Sequence, residues 1–172
     1  MKTTRFALAF LLVAALSGCG FHLRNALVLP ADLGPVAVTA RDPYSPLADS
    51  LARALENAGA TPAEASAEGA TTLEILSEKW ADLPISVDTQ GRAQEYSLRY
   101  AVVFRLRKAD DSMIVPQQAV ELSRDYIAPP SDTIGRNSER ELLVTEMRRD
   151  MNAAILRRID AALRAPGAAK AP

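Results

Sequence analysis

The sequence predicts an α+β fold: a two-layer sandwich with two helices packed on one face of a four-stranded mixed sheet, in the order β-α-β-β-β-α. Three observations lead there. Tyr96, Leu98, Tyr100, Val102, Phe104 and Leu106 alternate with Ser97, Arg99, Ala101, Val103, Arg105 and Arg107, the period of a strand with one buried face. Two other stretches repeat apolar residues every three or four positions, as helices with a single apolar stripe do. The first of these lies between two strand-like runs and supplies the crossover a parallel pair requires, while the later strands follow one another closely enough to pair as hairpins.

The elements follow in order. Val36-Ala37-Val38-Thr39-Ala40 is short, apolar and partly β-branched, and stops at Asp42-Pro43, which marks a first strand. Ser45-Pro46 then opens a helix, with Ser45 as N-cap and Pro46 at the first helical position, where its missing N–H costs nothing. Leu47, Leu51, Leu55 and Ala58 form its stripe, and Gly59 is placed to end it in a left-handed cap. Residues 60–70 read as a loose surface loop. A second strand is expected over Thr72 to Trp80, with Leu73 and Ile75 on one face and Leu76 and Trp80 on the other, and a longer connection over 81–91 containing Pro84 and Gly91. After the long alternating strand, Asp110-Asp111 marks a turn. The chain returns through Ala119, Val120, Leu122 and Tyr126, and Pro116 demotes the start of that strand to an edge or a bulge. Pro129-Pro130 breaks it. Ser138 and Glu141 have the spacing of a capping box at the start of the last helix, whose stripe is Val144, Met147, Met151, Ile155 and Ile159.

The N-terminus decides where this domain works. Lys2 and Arg5 precede an uncharged apolar run from Phe6 to Leu16. That run is too short to span a bilayer but suits the core of a secretory signal. Leu16-Ser17-Gly18-Cys19 follows, with the sole cysteine of the chain where a lipobox places its acylated residue. Residues 1–18 are therefore expected to be a lipoprotein signal peptide, 19–35 a lipidated tether, 36–165 the sandwich domain and 166–172 a flexible tail. Each acyl methylene contributes about 0.8 kcal/mol to membrane binding, and stable anchoring takes more than one chain, such as added palmitate. Gly20, in place of aspartate after Cys19, permits sorting to the outer membrane. Losing Lys2 and Arg5 with the leader takes the net charge from −1 to −3, which argues against a nucleic-acid partner.

Catalytic groups are scarce. His22 is the only histidine and stands beside the lipidated cysteine, so no Ser-His-Asp or Cys-His site is expected in the domain. Zinc sites of Cys and His are excluded by count, and no glycine-rich phosphate loop is present. Asp110-Asp111 reads as a turn rather than a carboxylate pair. No enzyme activity and no cofactor or metal are expected. The basic residues Arg92, Arg99, Arg105, Arg107 and Arg136 support two readings: a solvated face neutralised by Glu95 and Glu121, or guanidinium groups that meet the phosphates of an anionic ligand.

Cys19-Gly20-Phe21-His22-Leu23-Arg24 resembles the mature start of the LptE family, also called RlpB, the lipopolysaccharide-assembly lipoproteins of the outer membrane. Pro46-Leu47, Gly91 with Glu95-Tyr96, and Glu146-Met147 match in the expected order. The resemblance implies the same strand-helix-strand-strand-strand-helix sandwich. It also implies a non-enzymatic role: a lipid-anchored plug and assembly partner, one to one, in the lumen of the LptD outer-membrane β-barrel. The domain would sit on the periplasmic side, and the pair would insert lipopolysaccharide into the outer leaflet. Lipopolysaccharide binding in the family is tied to basic residues in the loop before the long strand and just before the last helix. Arg136 fits the second position. In the first, no basic residue precedes Gly91, and Arg92 follows it. The rival expectations are an accessory lipoprotein of another envelope transport system, of the ABC-transport auxiliary type, and a lipid-anchored hydrolase.

Overall fold

The computed structural model describes residues 29, 30, 33–128 and 133–165, the side chains of 133–136 excepted. Cys19, His22, the leader, Pro129-Pro130 and the tail at 166–172 lie outside the described residues. Six elements follow in order: β1 (Val36–Ala40), α1 (Pro46–Asn57), β2 (Thr71–Val87), β3 (Ala93–Arg107), β4 (Met113–Ile127) and α2 (Thr133–Arg164). The four strands form one sheet in the order β1-β2-β3-β4. β1 runs parallel to β2, and the two later pairs are antiparallel. Both helices cover the same face, as the alternation in β3 requires. Leu98, Tyr100, Val102 and Phe104 are fully buried, against Leu47, Leu51 and Leu55 of α1 and Met147, Met151, Ile155 and Ile159 of α2.

α1 begins and ends as its residues dictate. The Ser45 side chain accepts a hydrogen bond from the Ala48 N–H at 3.2 Å, and Pro46 stands at the first helical position. Gly59, at φ +97°, donates its N–H to the Glu56 carbonyl at 2.9 Å, and Ala60 donates back to Leu55. That reversal uses a backbone region that L side chains rarely adopt.

Three expectations need correction. The segment after Trp80 is strand, not connection: β2 continues to Val87, with Pro84 opposite Tyr96. β1 pairs only with Thr71 to Ile75, so the later part of β2 has one open edge, where a strand tolerates proline. Trp80 also changes face. A bulge between Ile75 and Ser77 inserts one residue and reverses the alternation, so Trp80 lies opposite Tyr100 on the helix side. Finally, α2 starts at Thr133, so Ser138 and Glu141 stand on exposed positions within the helix and do not cap it, and Arg136 lies in its first turn rather than before it. Serine and glutamate on a solvated helix surface cost little, and the capping spacing is not diagnostic there. In β4 the irregularity foreshadowed by Pro116 is present as a register shift between Val115 and Gln118.

Candidate functional site

Three arrangements of polar residues stand out: on the open face of the sheet, at one end of the sandwich, and between the helices and the sheet. The open face of the sheet carries the arginines of β3. Glu74 of β2 lies opposite Arg105 in register. It accepts hydrogen bonds from Arg105 Nε and from Arg107 Nε, the latter at 2.7 Å, and Arg107 also reaches Asp111 at 2.8 Å. Burial alone would raise the Glu74 carboxyl, but the two guanidinium groups outweigh it and hold the pKa below its ordinary value. Arg99 lies 3.6 Å from Glu121, as expected, whereas Glu95 is not the partner of these arginines. The solvated-face reading therefore accounts for Arg99, Arg105 and Arg107 by ion pairs within the sheet.

The second arrangement is the end of the sandwich that holds both basic residues singled out for ligand binding. Arg92 lies in the tight turn from β2 to β3. Its Nε donates to Asp88 Oδ2 at 2.7 Å, and its second guanidinium nitrogen donates to Gln90 Oε1 at 2.8 Å. The Asp88 carboxyl also accepts the backbone N–H groups of Gln90 and Arg92. The Arg92 N–H and side chain, aided by Gln90, prevail over partial desolvation and bring the Asp88 pKa down to about 2. Gly91, at φ +76°, closes this turn. Arg92 is thus exposed but already engaged by a carboxylate.

The α2 helix runs antiparallel to β4. Arg158 bonds Gln118 and the Ala119 carbonyl, Arg124 pairs with Asp150, and Arg140 grips Asp82 with two bonds of 2.9 Å. Tyr126 donates to the same Asp82 carboxyl at 3.0 Å. Residue 136 precedes Arg140 by one turn, and this places it toward the same end as the Asp88–Arg92 turn.

The third arrangement joins the helices to the sheet. Tyr100, fully buried, donates its hydroxyl to Glu78 Oε1 at 2.7 Å. Burial, then the Glu78 carboxylate, push that hydroxyl's pKa strongly up. Ser45 donates to the other Glu78 oxygen at 2.7 Å while capping α1. Trp80 stacks on Tyr100 with ring centroids 3.8 Å apart, and Arg148 lies over the indole at 5.8 Å. This junction escaped sequence reading, because the bulge that aims Trp80 inward has no marker residue.

Among the described residues, no group of three or more His, Cys, Asp or Glu is placed to hold a metal ion, and no helix is long and apolar enough to cross a membrane.

A family model described as LptE, lipopolysaccharide-assembly, matches residues 33–159. The chain is 28% identical over 149 residues to a protein of Photorhabdus laumondii named LPS-assembly lipoprotein LptE, covering 87% of this chain and 81% of that one. It is 24% identical over 150 residues to the protein of the same name from Pectobacterium atrosepticum, covering 87% and 80%. The fold is similar to the crystal structure of rare lipoprotein B from Shewanella oneidensis (TM-score 0.64, 23% identity, 74% of this chain and 95% of that one). It is also similar to the solution structure of a lipoprotein B from Nitrosomonas europaea (TM-score 0.67, 24% identity, 83% and 91%).

Proposed function

Because this chain belongs to the LptE family of lipopolysaccharide-assembly lipoproteins, we propose that it is the lipid-anchored plug and assembly partner of the LptD outer-membrane β-barrel. In this role it holds a one-to-one complex with the barrel, supports insertion of lipopolysaccharide into the outer leaflet, and performs no catalysis. Residues 1–18 are removed on export, Cys19 carries the acyl chains, and the tether through residue 35 leads to the domain on the periplasmic side of the outer membrane, within the barrel lumen. The observation that carries this reading is the match over 33–159, which spans all but the last turn of the sandwich.

The surface chemistry agrees with it. A barrel lumen is polar, and the open sheet face offers it guanidinium and carboxylate groups, with Arg99, Arg105 and Arg107 already paired within the sheet, so those charges enter a docked interface with a partner. We assign lipopolysaccharide contact to Arg136 and, secondarily, Arg92, which the fold brings toward one end. Arg92 must share its guanidinium with Asp88, and this makes it the weaker of the two.

The test is a pull-down of the tagged, lipidated chain in detergent, with mass spectrometry of what accompanies it. A stoichiometric large β-barrel is expected. Recovery of an inner-membrane transporter would favour an auxiliary subunit of another transport system, and recovery of the protein alone would overturn the plug role. Arg136→Ala is expected to weaken lipopolysaccharide capture while leaving the barrel complex intact.

A further inference from the structure

A groove of about 440 Å³ runs between α1 and α2, within the size range of small-ligand pockets, roughly 300–1,000 Å³. Pro46, Ala153 and Leu156 give it largely apolar walls, and the Ser50 and Asn152 side chains on its floor are bonded to each other at 2.8 Å. Arg148 and Arg149 are the charges that line it. Neither makes an ion pair among the described residues, whereas Arg124 and Arg140 beside the same helix do. Two nearby acids are engaged elsewhere, Glu78 by Tyr100 and Ser45 and Asp150 by Arg124, and Glu146, one helical turn before Arg149, forms no ion pair with it. The Arg148 Nε is buried and has no hydrogen-bond partner.

A desolvated guanidinium nitrogen without an acceptor is costly, and such groups in a folded protein call for an explanation. We propose that this groove binds the acyl chain of an anionic lipid, whose phosphate or carboxylate head pairs with Arg148 and Arg149. The charge of the rim selects an anion, and the apolar walls select the alkyl chain behind it. The chain's own residues 19–28 are a poor occupant, because they contain no acid. This site is separate from Arg92 and Arg136 and does not depend on a barrel partner.

Trp80 is the single tryptophan of the chain, and it lies directly beneath Arg148, so its fluorescence reports the groove. The experiment titrates the full chain, kept soluble in a non-ionic amphipol, with octyl phosphate, octyl glucoside and inorganic phosphate. A saturable change in Trp80 emission is expected with octyl phosphate, weakened about tenfold by Arg148→Gln. Ala153→Phe, which fills the groove from an exposed position, is expected to abolish it and serves as the deciding variant if Arg148→Gln does not fold. The proposal is overturned if octyl phosphate gives no saturable change, if octyl glucoside or inorganic phosphate binds equally well, or if Ala153→Phe binds as the parent does. An acidic peptide without an alkyl chain that matched octyl phosphate would also overturn the lipid assignment. The titration needs no barrel, so its failure and that of the pull-down are distinct results.

Discussion

Ser45→Ala tests whether the helix cap is also a joint between layers. The Ser45 oxygen accepts the Ala48 N–H at 3.2 Å and its hydroxyl donates to Glu78 at 2.7 Å, with Ser45 only 2% exposed. Loss of an ordinary cap costs about 1 kcal/mol. A hydrogen bond to a charged acceptor adds about 1.5–3 kcal/mol, toward the lower end here because Glu78 is half-buried and keeps its bond from Tyr100. The expected loss is about 2–3 kcal/mol, or a fall in Tm of about 8–12 °C at roughly 4 °C per kcal/mol for a domain of this size. Urea unfolding followed by Trp80 fluorescence measures it. In a Glu78→Ala background the same substitution should cost only about 1 kcal/mol, since the cap alone remains to be lost. Equal losses in both backgrounds would refute the joint and leave Ser45 as a cap.

Met151→Ala removes a fully buried side chain from the centre of α2 and should cost about 2–5 kcal/mol in the same unfolding assay. Glu74 has a lowered folded pKa, so its contribution is present above the unfolded carboxyl pKa and lost as pH falls through the folded value; Glu74→Gln should flatten the acid limb of the stability-pH curve. The Asp88 carboxyl should titrate near 2 by NMR. Arg92→Ala should raise that value only in part, because the backbone N–H groups of residues 90 and 92 remain; a full return to an ordinary aspartate would show that the side chain alone holds it down.

Much of the fold was legible because burial forces periodicity. β3 announced itself through six apolar residues at alternate positions, and α1 through a cap, a proline and a leucine stripe, each a local signal that tertiary structure had no cause to override. The misreadings share a different origin. Pro84 reads as a breaker until it is known that β1 stops at Ile75 and leaves that edge of β2 open. Trp80 reads as outward until the bulge near Leu76 is known. The partner of Arg105 and Arg107 is Glu74, and only the register identifies it, since Glu95 and Glu121 are nearer in sequence; one clue was its outward position between the buried Leu73 and Ile75. Ser138 and Glu141 had the spacing of a cap without being one, because the turns ahead of them are themselves helical.

The pattern of paired and unpaired cations gives the two layers different roles. On the open sheet face, Glu74 and Glu121 meet the arginines of β3, so that face presents hydrogen-bonding groups with little uncompensated charge. Such a surface fits a fixed polar wall by shape and local pairing, and contributes little long-range attraction to any polyanion. The helix layer differs: Arg148 and Arg149 line a groove without ion pairs among the described residues, one of them with a buried, partnerless Nε. The two surfaces should therefore respond differently to salt. Raising ionic strength should weaken anionic-lipid binding at the helix groove while leaving an association through the self-neutralised sheet face largely unchanged.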